Sequence, residues 1–457
     1  LVAPGGLLTR VVTKVPLVAR SGEVKRVGIP WCQAGEPGRG PRAEGENMSA
    51  QSLGEQTVDL LGRLVRLGCV NDLTADSGGE ERAADLLEDF FAGLPVSIER
   101  ITPHPGRTSL VVTVEGADPL SAGTPLTLLG HTDVVPVDEA KWTRDPFGAQ
   151  IEDDVMWGRG TVDMLHLTAA MAVVTREVAR RAQDGHPPAR SLVFVAAADE
   201  EARGGLGVPW IGEHRPDALP WDAALSEMGG AHIRGRRGGD SVVVVVGEKG
   251  AAQRRLHIRG DAGHGSVPLG RTSAVERLSQ VSAALSAARW PTATDEVWAG
   301  FVRAFEFDET TETSLINGTY EGDYSEFGDL AAFAHAISHV TVAQTVAHSG
   351  GPINVMPSHA TLELDIRTLP GVDDDDVDAA IAVALGDLAE HVTIERLLCE
   401  DATASSIDTD LYRAIEAALT KRYPGASVVP VLFPGGTDLR VARRRGGIGY
   451  GFGAVDS

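Results

Sequence analysis

The chain has very little cysteine and no long apolar run. Its three cysteines, Cys32, Cys69 and Cys399, are spread over 457 residues. An odd and sparse set of this kind forms neither a disulfide framework nor a CxxC metal pair. A reducing compartment, the cytoplasm, is therefore the simplest expectation for its location. No apolar run reaches the roughly 18 residues of a membrane-spanning helix, so we expect no membrane segment.

Basic residues are also scarce. The chain has 41 Lys and Arg against 64 Asp and Glu, which gives a formal net charge of -23 at pH 7. Such a field repels polyanions, which argues against nucleic acids and anionic membranes as partners and favours metal ions or cationic partners. A hydrophobic content of 43% and a charged content of 23% are typical of a soluble globular protein. The length is sufficient for two or three domains.

Residues 1–47 differ from the rest of the chain. They carry seven Lys or Arg against four Glu, and the first methionine, Met48, follows them directly. Charges interrupt the stretch LLTRVVTKVPLVAR, which is unlike the apolar region of a signal peptide. We expect these residues to lie upstream of the natural start or to form a disordered tail. A transit segment is the less favoured alternative.

The spacing of apolar residues predicts helices first and strands afterwards. Residues 52–68 and 80–94 have the helical period, and uncharged β-branched runs follow them. From Glu248 the pattern changes to strand, helix and further strands without an acidic cluster, which predicts an inserted α+β domain of open-faced sandwich type. Residues 290–336 predict no definite element. Helical patterns that rejoin the first domain return from Asp373.

One apolar run ends abruptly in polar residues that suit a metal. The run PLTLLG predicts a short buried strand, and His131 and Asp133 follow it. Ligands in open α/β sheets bind at the carboxyl ends of strands. A neutral imidazole binds zinc, and Asp133 could receive its other ring proton. The alternative is a strand followed by an ordinary polar loop.

Acidic residues follow two further predicted strands. SLVFVAAA leads into Asp199, Glu200 and Glu201, DAALS leads into Glu227, and the turn GRGTVD presents Asp163. Adjacent carboxylates beside an apolar strand repel one another unless a cation compensates. A solvated acidic turn is the alternative interpretation.

Together these side chains supply one imidazole and several carboxylates, a mixture that suits zinc or a similar divalent ion. Two ions bridged by one carboxylate lower the pKa of a water and polarise a carbonyl. One further carboxylate must stay unligated to act as a base. Neighbouring side chains such as Glu200 and Glu201 can divide these roles, since consecutive residues face different ways at a strand end.

Eight motifs occur in the order of a known family. They are GHTDVVP, GRGTVDM, AADEEARGGLG, SEMGG, GDAGHGSVP, GGPINVMPS, LDIRTLPG and GGTDLR. This set resembles the di-zinc amidohydrolase family of carboxypeptidase G, acetylornithine deacetylase, succinyl-diaminopimelate desuccinylase, aminoacylase and several dipeptidases. The resemblance covers roughly residues 55–455.

The resemblance implies an α/β fold in two domains. Residues 48–247 and 372–457 are expected to form a zinc-exopeptidase-like, three-layer catalytic domain. Residues 248–371 are expected to form a ferredoxin-like lid, through which the family often dimerises.

The resemblance also implies a ligand set for two zinc ions, with Co²⁺ or Mn²⁺ as alternatives. His131 and Glu227 bind one ion, Asp163 bridges the two, and Glu201 binds the second. A cis peptide bond that does not involve proline is implied after Asp163.

Catalytic roles follow from the same resemblance. Asp133 orients His131, and Glu200 is the general base that passes a proton from water to the leaving amine. His264, in the lid, stabilises the oxyanion, either after lid closure or in the active site of a partner subunit. An ordinary loop histidine is the alternative at that position.

Four positions resemble substrate-binding residues of the family. Asn354 and Arg367 match positions linked to the substrate carboxylate, for which a guanidinium fork is well shaped. Gly436 and Thr437, with Gly435, resemble a substrate-facing backbone loop.

The chain departs from the family in two places. Leu165 and His166 stand where the family has Lys and Gly, and we expect His166 to be structural or to support a ligand rather than to bind metal. A histidine shortly beyond a YGFGP-like segment completes the family's second zinc site, but no histidine follows His391 here. We expect that the record is truncated and that the coding sequence continues with this histidine.

The sequence therefore predicts a metallohydrolase that cleaves an amide bond in a small peptide bearing a free carboxylate. An N-acyl amino acid deacylase is the second choice. A non-catalytic binding protein is the alternative from another class, and only the absent histidine supports it.

Overall fold

The computed structural model describes residues 52–117 and 123–453. The expectation for residues 1–47 lies outside this range. Within it the chain forms eleven α-helices and eighteen strands. The helices are α1 (Leu53–Leu67), α2 (Glu81–Phe91), α3 (Leu165–Gln183), α4 (Val208–His214), α5 (Ala274–Ala287), α6 (Glu296–Ala304), α7 (Glu309–Ile316), α8 (Ala331–Ser338), α9 (Asp374–Leu385), α10 (Asp410–Arg422) and α11 (Leu439–Arg444). Among the described residues, no helix combines the length and apolar character needed to cross a membrane.

The strands fall into one large sheet, one smaller sheet and two short ribbons. In chain order they are β1 (Ser97–His104), β2 (Arg107–Val114), β3 (Leu126–His131), β4 (Gln150–Glu152), β5 (Val155–Trp157), β6 (Leu192–Ala197), β7 (Ala223–Ser226), β8 (His232–Arg234), β9 (Asp240–Glu248), β10 (Gly250–Arg259), β11 (Gly263–His264), β12 (Thr341–Ser349), β13 (Val355–Met356), β14 (His359–Thr368), β15 (Val392–Glu400), β16 (Thr403–Ala404), β17 (Ser427–Phe433) and β18 (Ile448–Gly451).

The large sheet has a parallel centre. Its strand order is β1-β2-β6-β3-β7-β18-β9-β16, with β8 and β17 also paired to β9. β3 runs parallel to β6 and β7, and β18 runs parallel to β7. The carboxyl ends of these strands therefore meet at one edge of the sheet.

Helices cover both faces of the large sheet, because its central strands are apolar on both sides. Leu128 and Phe194 are buried beneath α1, α2 and α3, whereas Val195, on the opposite face, is buried with side chains of α4 and α11. Helix α1 begins at a capping box formed by Ser52 and Glu55, which satisfies backbone N–H groups of its first turn. The predicted three-layer α/β architecture is confirmed.

The smaller sheet is antiparallel, with the strand order β12-β14-β10-β15. In chain order its elements are β10, α5, β12, β14, α9 and β15, which is the ferredoxin-like arrangement. Apolar side chains of α5 and α9 pack with Leu256, Ile258 and Ile366 on one face of the sheet. The prediction that an inserted region forms an α+β, ferredoxin-like domain is confirmed.

The chain boundary of this sheet differs from the predicted one. The sequence placed the end of the inserted domain at residue 371, but β15 pairs with β10 from Ile258↔Val392 to Ala251↔Glu400. The first helical pattern after Asp373, which forms α9, was therefore assigned to the wrong sheet, whereas the second, which forms α10, does pack on the large sheet as predicted. A 3.6-residue pattern identifies an amphipathic helix but not the sheet on which it packs.

Residues 288–340, which we call the bridging segment, join the two sheets. They include α6, α7 and α8 and contain an aromatic cluster whose buried members are Trp298, Phe301, Phe305, Phe307, Tyr324 and Phe327. This cluster packs in one core with Val245 and Val431 of the large sheet and with Leu256 and Ile366 of the smaller one. The two sheets thus share a hydrophobic core although the segment follows α5 in the chain.

Lys249 occupies the single residue between β9 of the large sheet and β10 of the smaller one. Its Nζ donates hydrogen bonds to the carbonyl oxygens of Ala336 (2.7 Å) and His339 (2.5 Å) and to Oγ1 of Thr341 (3.1 Å). Burial, with a smaller contribution from Arg367, lowers the pKa of Lys249 to about 7. The bridging segment is therefore fixed to the connection between the sheets.

Replacing Phe301 tests the shared core. Phe301 is 1% exposed and contacts the rings of Trp298, Phe305, Phe327 and Phe333. We expect Phe301→Ala to lower the free energy of unfolding by about 3–5 kcal/mol, because it removes a large buried ring and leaves a cavity. Urea titration measures this change. Val383→Ala, at a position 82% exposed, is the control and should change it by less than about 0.5 kcal/mol. Equal effects of the two substitutions would contradict a packed core.

Candidate metal centre

Three parallel strands bring the predicted ligands to one edge of the large sheet. His131 ends β3, where it lies opposite Ala197 of β6. Glu200 and Glu201 follow β6 in a short 3₁₀ turn, and Glu227 directly follows β7. These carboxyl ends converge because the strands run in the same direction.

Asp163 reaches the same place from the turn before α3. Its Oδ1 lies 3.3 Å from Nε2 of His131, and Oε2 of Glu227 lies 4.0 Å from that nitrogen. One ligand atom from each of these three side chains falls within 4.8 Å of the others. In a tetrahedral zinc site with bonds of about 2.1 Å, ligand atoms are about 3.4 Å apart. Their separations and donor types therefore fit a divalent cation.

The peptide bond between Asp163 and Met164 is cis, as the resemblance implied. The side chain of Asp163 is 55% exposed, whereas those of His131 and Glu227 are 1% and 5% exposed. Of these three predicted ligands, Asp163 is thus the most open to solvent.

The electrostatics of the cluster also fit a cation. Burial raises the pKa of Glu227 to about 8 and that of Glu201 to about 7. Burial alone would lower the pKa of His131, but its hydrogen bonds to Asp133 and Asp163 outweigh this and hold the pKa well above its ordinary value. Without a cation, the cluster retains protons that a divalent ion displaces when it binds.

Asp133 is buried and forms more contacts than the orientation of His131 requires. Nδ1 of His131 lies 3.0 Å from the backbone oxygen of Asp133 and 3.4 Å from its carboxylate Oδ1. The backbone carbonyl is the closer partner of the imidazole. The carboxylate itself accepts hydrogen bonds from the backbone N–H groups of Glu200 (3.2 Å) and Glu201 (3.1 Å). Asp133 therefore organises the acidic turn as well as the histidine.

Glu200 and Glu201 line a cleft of about 270 Å³ between the two sheets. Burial, followed by the nearby charge of Glu227, raises the pKa of Glu200 well above its ordinary value. Among the described residues, Glu201 does not join the three-residue group of His131, Asp163 and Glu227. Its ligand role stays a prediction.

Of the four predicted substrate residues, the structure brings two to the cleft. Arg367 and Gly436 line it. Arg367 donates from Nε (3.0 Å) and Nη2 (3.2 Å) to the carboxylate of Asp365. Thr437 is buried, and both its backbone N–H and its hydroxyl donate to Oε2 of Glu248, at 2.6 and 2.8 Å. The donors of Thr437 thus anchor the loop in this structure, and its role towards the substrate stays a prediction.

His264 and Asn354 lie together but outside the lining of the cleft. They belong to the ribbon formed by β11 and β13, where Nε2 of His264 is 3.4 Å from Nδ2 of Asn354. Nδ1 of His264 lies 2.7 Å from Oγ of Ser266. Both residues are exposed. The lining of the cleft therefore contains Arg367 but neither His264 nor Asn354, and the roles of these two residues stay predictions.

His166 is neutral and turned inward. Burial lowers its pKa to about 4, and its buried Nδ1 has no hydrogen-bond partner. His166 is absent from the three-residue ligand group. A structural role stays the prediction for this residue. The place of the expected C-terminal histidine lies beyond the described residues.

Sequence reasoning missed Asp438 and several basic residues of the cleft. Asp438 is 3% exposed, its Oδ1 has no hydrogen-bond partner, and burial raises its pKa to about 7. Arg203, Lys249, Arg440 and Arg444 also line the cleft. The motif GGTDLR, which contains Asp438 and Arg440, was the available signal, but only its glycines and threonine were assigned.

Comparison with known proteins finds similarity to peptidases and to deacylases. The family model "Peptidase family M20/M25/M40" matches residues 127–457. A probable carboxypeptidase S-like 2 of Dictyostelium discoideum is 26% identical over 342 residues, which cover 73% of this chain and 64% of that protein. An acetylornithine deacetylase of Erwinia tasmaniensis is 26% identical over 308 residues, which cover 67% and 65% of the two chains. The match thus spans just under two thirds of the length of these relatives.

Solved structures share the fold. The M20 family metallo-carboxypeptidase Sso-CP2 from Sulfolobus solfataricus superposes with a TM-score of 0.58 and 17% identity, and the match covers 87% of this chain and 90% of that one.

The pH dependence of stability tests the cation requirement. The pKa of Glu227 is about 8 and that of Glu201 about 7, against 4.5 for an ordinary Glu. Between pH 4.5 and these raised values, the folded chain therefore binds more protons than the unfolded chain. The stability of the metal-free protein must therefore fall as the pH rises through this window. The raised pKa of His131 acts in the same direction. We expect the Tm of chelator-treated protein to decrease as the pH is raised from 5.5 to 8.5. Over the same pH range, the increase in Tm that added zinc produces should become larger.

The control for this measurement is Glu227→Gln, which removes one of the titrating groups. Its metal-free Tm should fall less steeply with pH than that of the wild type. Parallel pH curves with and without zinc would contradict a cation site in this cluster.

Proposed function

Because the chain belongs to Peptidase family M20/M25/M40, we propose that it is a metal-dependent hydrolase that cleaves an amide bond in a small peptide or N-acyl amino acid with a free carboxylate. The observation that carries this proposal is the convergence of His131, Asp163 and Glu227 within 4.8 Å, beside a cleft lined by Glu200 and Arg367. A shared cation site next to an unligated carboxylate is the arrangement that metal-assisted hydrolysis requires.

Each side chain has a proposed task at the metal. His131 and Glu227 would hold one ion and Glu201 a second, with the carboxylate of Asp163 available to both. Zinc fits this imidazole and carboxylate set, and Co²⁺ or Mn²⁺ are the alternatives. Bound ions supply a water of lowered pKa and polarise the substrate carbonyl.

Glu200 is the proposed general base. It lies on the wall of the cleft, and burial raises its pKa, which makes the carboxylate a stronger proton acceptor. A carboxylate oxygen of Glu200 takes the proton of the attacking water and delivers it to the departing nitrogen. Asp133 holds the backbone of Glu200 in place meanwhile.

Arg367 is the proposed binding site for the substrate carboxylate. Its guanidinium forms a fork suited to a carboxylate, and Asp365 occupies that fork in this structure. Gly436, in the loop formed by the GGTDLR motif, lines the same cleft. A peptide whose terminal carboxylate reaches Arg367 would have its scissile amide near Glu200.

A peptidase is the preferred activity and a deacylase the second candidate. Relatives at equal identity carry both kinds of name, carboxypeptidase S-like and acetylornithine deacetylase. Assays with dipeptides and with N-acetyl amino acids, each with zinc, cobalt or manganese, separate the two. Metal binding without turnover on either substrate class would favour a non-catalytic binding protein.

We also propose a cytoplasmic location. The two cysteines in the described part of the chain, Cys69 and Cys399, are free thiols, which suits a reducing compartment.

Replacing Glu200 tests its role as the base. We expect Glu200→Gln to lower kcat at least about 100-fold, because the amide cannot accept the proton, while the metal content of the protein stays unchanged. Steady-state kinetics and metal analysis of the purified variant measure both quantities. Glu416→Gln, at an exposed site on α10, is the matched control and should retain full activity. A Glu200→Gln protein with wild-type kcat would refute the assignment.

The smaller sheet, from residue 249 to about 400, is the proposed lid and dimerisation domain. Its strand β12 lies at the sheet edge, and Val346 on that strand is 37% exposed. A second copy of the chain could pair there. In such a dimer, or on closure of the lid, His264 would reach a cleft that it does not line in this structure.

A complementation experiment tests whether His264 acts across a dimer interface. Glu200→Gln and His264→Ala proteins are each expected to be nearly inactive. When subunits exchange, half of the dimers contain one copy of each, and one of their two sites is intact, so mixing should restore about a quarter of wild-type activity. Analytical ultracentrifugation confirms the dimer. A mixture as inactive as its components would show that His264 acts within its own chain or not at all.

A further inference from the structure

A chain of buried polar residues lies behind the proposed metal site. It consists of Asn71, Glu80, Arg107 and Asp199, which are each 5% exposed or less. Asn71 contacts Asp133 directly, and the other three are joined to it through Asp199. They come from four separate places: the loop after α1, the residue before α2, the start of β2 and the residue before the acidic turn. The fold therefore brings together residues that the sequence pattern does not connect.

Asn71 links two carboxylates through one amide group. Its Nδ2 donates to Oδ2 of Asp133 (2.8 Å) and to Oδ1 of Asp199 (3.0 Å). Its Oδ1 accepts from the backbone N–H of Leu73 at 3.0 Å, which fixes the direction of the amide. A carboxylate here would add a third negative charge, and an apolar side chain would leave two buried carboxylates without this donor.

Arg107 neutralises the far side of the network. Its Nη2 contacts Asp199 and lies 3.1 Å from Oε1 of Glu80, while its Nη1 donates to the backbone oxygen of Ser77 at 2.7 Å. Glu80 Oε1 also accepts from the backbone N–H of Asp199 at 3.2 Å. Buried ion pairs add little stability compared with apolar packing of the same volume. Stability alone therefore does not account for this network.

Asp199 and Asp133 together hold the acidic turn. Asp199 itself has a left-handed backbone, with a φ of 66°, and its Oδ2 accepts from the backbone N–H of Leu206 at 2.8 Å. Asp133 accepts from the N–H groups of Glu200 and Glu201. Asn71 connects these two carboxylates, so any displacement of its amide moves both supports of the turn.

We propose that Asn71, Asp199, Arg107 and Glu80 are positioning residues that fix Asp133 and the Glu200–Glu201 turn, and through them the geometry of His131 and the base. This inference rests on the proposed function for its catalytic part, although its effect on metal binding is independent of the substrate. None of the four residues needs to touch metal or substrate. Their effect passes through hydrogen bonds to Asp133 and to the turn.

The test compares Asn71→Leu, Asn71→Ser and Arg107→Lys with the wild-type full chain. Asn71→Leu removes both hydrogen bonds at similar volume, Asn71→Ser retains one small donor, and Arg107→Lys keeps the charge but loses the fork. We expect zinc affinity, measured by competition with a chromophoric chelator, to fall about 10- to 100-fold in Asn71→Leu, as for other groups that orient metal ligands. Asn71→Ser and Arg107→Lys should lower zinc affinity by less than Asn71→Leu does. We also expect kcat to fall while KM changes less than about twofold, because substrate contacts are untouched.

The matched control is Arg254→Met in the smaller sheet. Arg254 is also fully buried and is paired with two carboxylates, Asp374 and Asp378. Its replacement should lower the Tm but leave zinc affinity and kcat of the folded protein unchanged. A purely structural role for Asn71 would give the same pattern as this control.

The outcomes separate this inference from the proposed function. Wild-type protein that binds zinc but hydrolyses no substrate refutes the function, and zinc affinity of the variants still decides the inference. If Asn71→Leu does not fold, Asn71→Ser and Arg107→Lys decide it. Folded variants with wild-type zinc affinity and wild-type kcat would overturn it.

Discussion

The repulsion among buried carboxylates at one sheet edge is the constraint on which the rest of this structure depends. Parallel strands deliver Glu200, Glu201 and Glu227 to the same place because their carboxyl ends must meet. Glu227 is buried and Glu200 and Glu201 are partly buried, so water screens their charges poorly. A divalent cation bound there would offset this repulsion. Burial, which raises the pKa values of Glu201 and Glu227, makes the ionised site unfavourable without one.

This constraint explains why much of the site could be predicted from the sequence. An uncharged run that ends in polar residues indicates a buried strand with these side chains at its carboxyl end, and His131 and Glu227 were found on that basis. Asp163 came from the turn GRGTVD, and the family resemblance implied the ligand set. Motif order supplied the family. Neither signal depends on the long-range packing of the chain, so both remain visible in a linear sequence.

Other features depend on packing and were not visible. The pattern of the bridging segment is irregular because its aromatic side chains face two sheets at once rather than one. The boundary at residue 371 failed because β15 joins the smaller sheet by pairing with β10, a long-range contact without a local signal. The hydrogen bonds of Thr437 to Glu248 were likewise not visible in its motif.

The bridging segment also bears on how the two sheets can be separated. Val245 and Val431 of the large sheet lie in the same core as Phe301 and Phe327 of this segment. Deleting the smaller sheet together with the bridging segment would expose the face of the large sheet that carries Val245 and Val431, a contiguous apolar surface, to water. The inserted region is therefore not an excisable module, and the large sheet depends on it for solubility as well as for the residues it brings to the cleft.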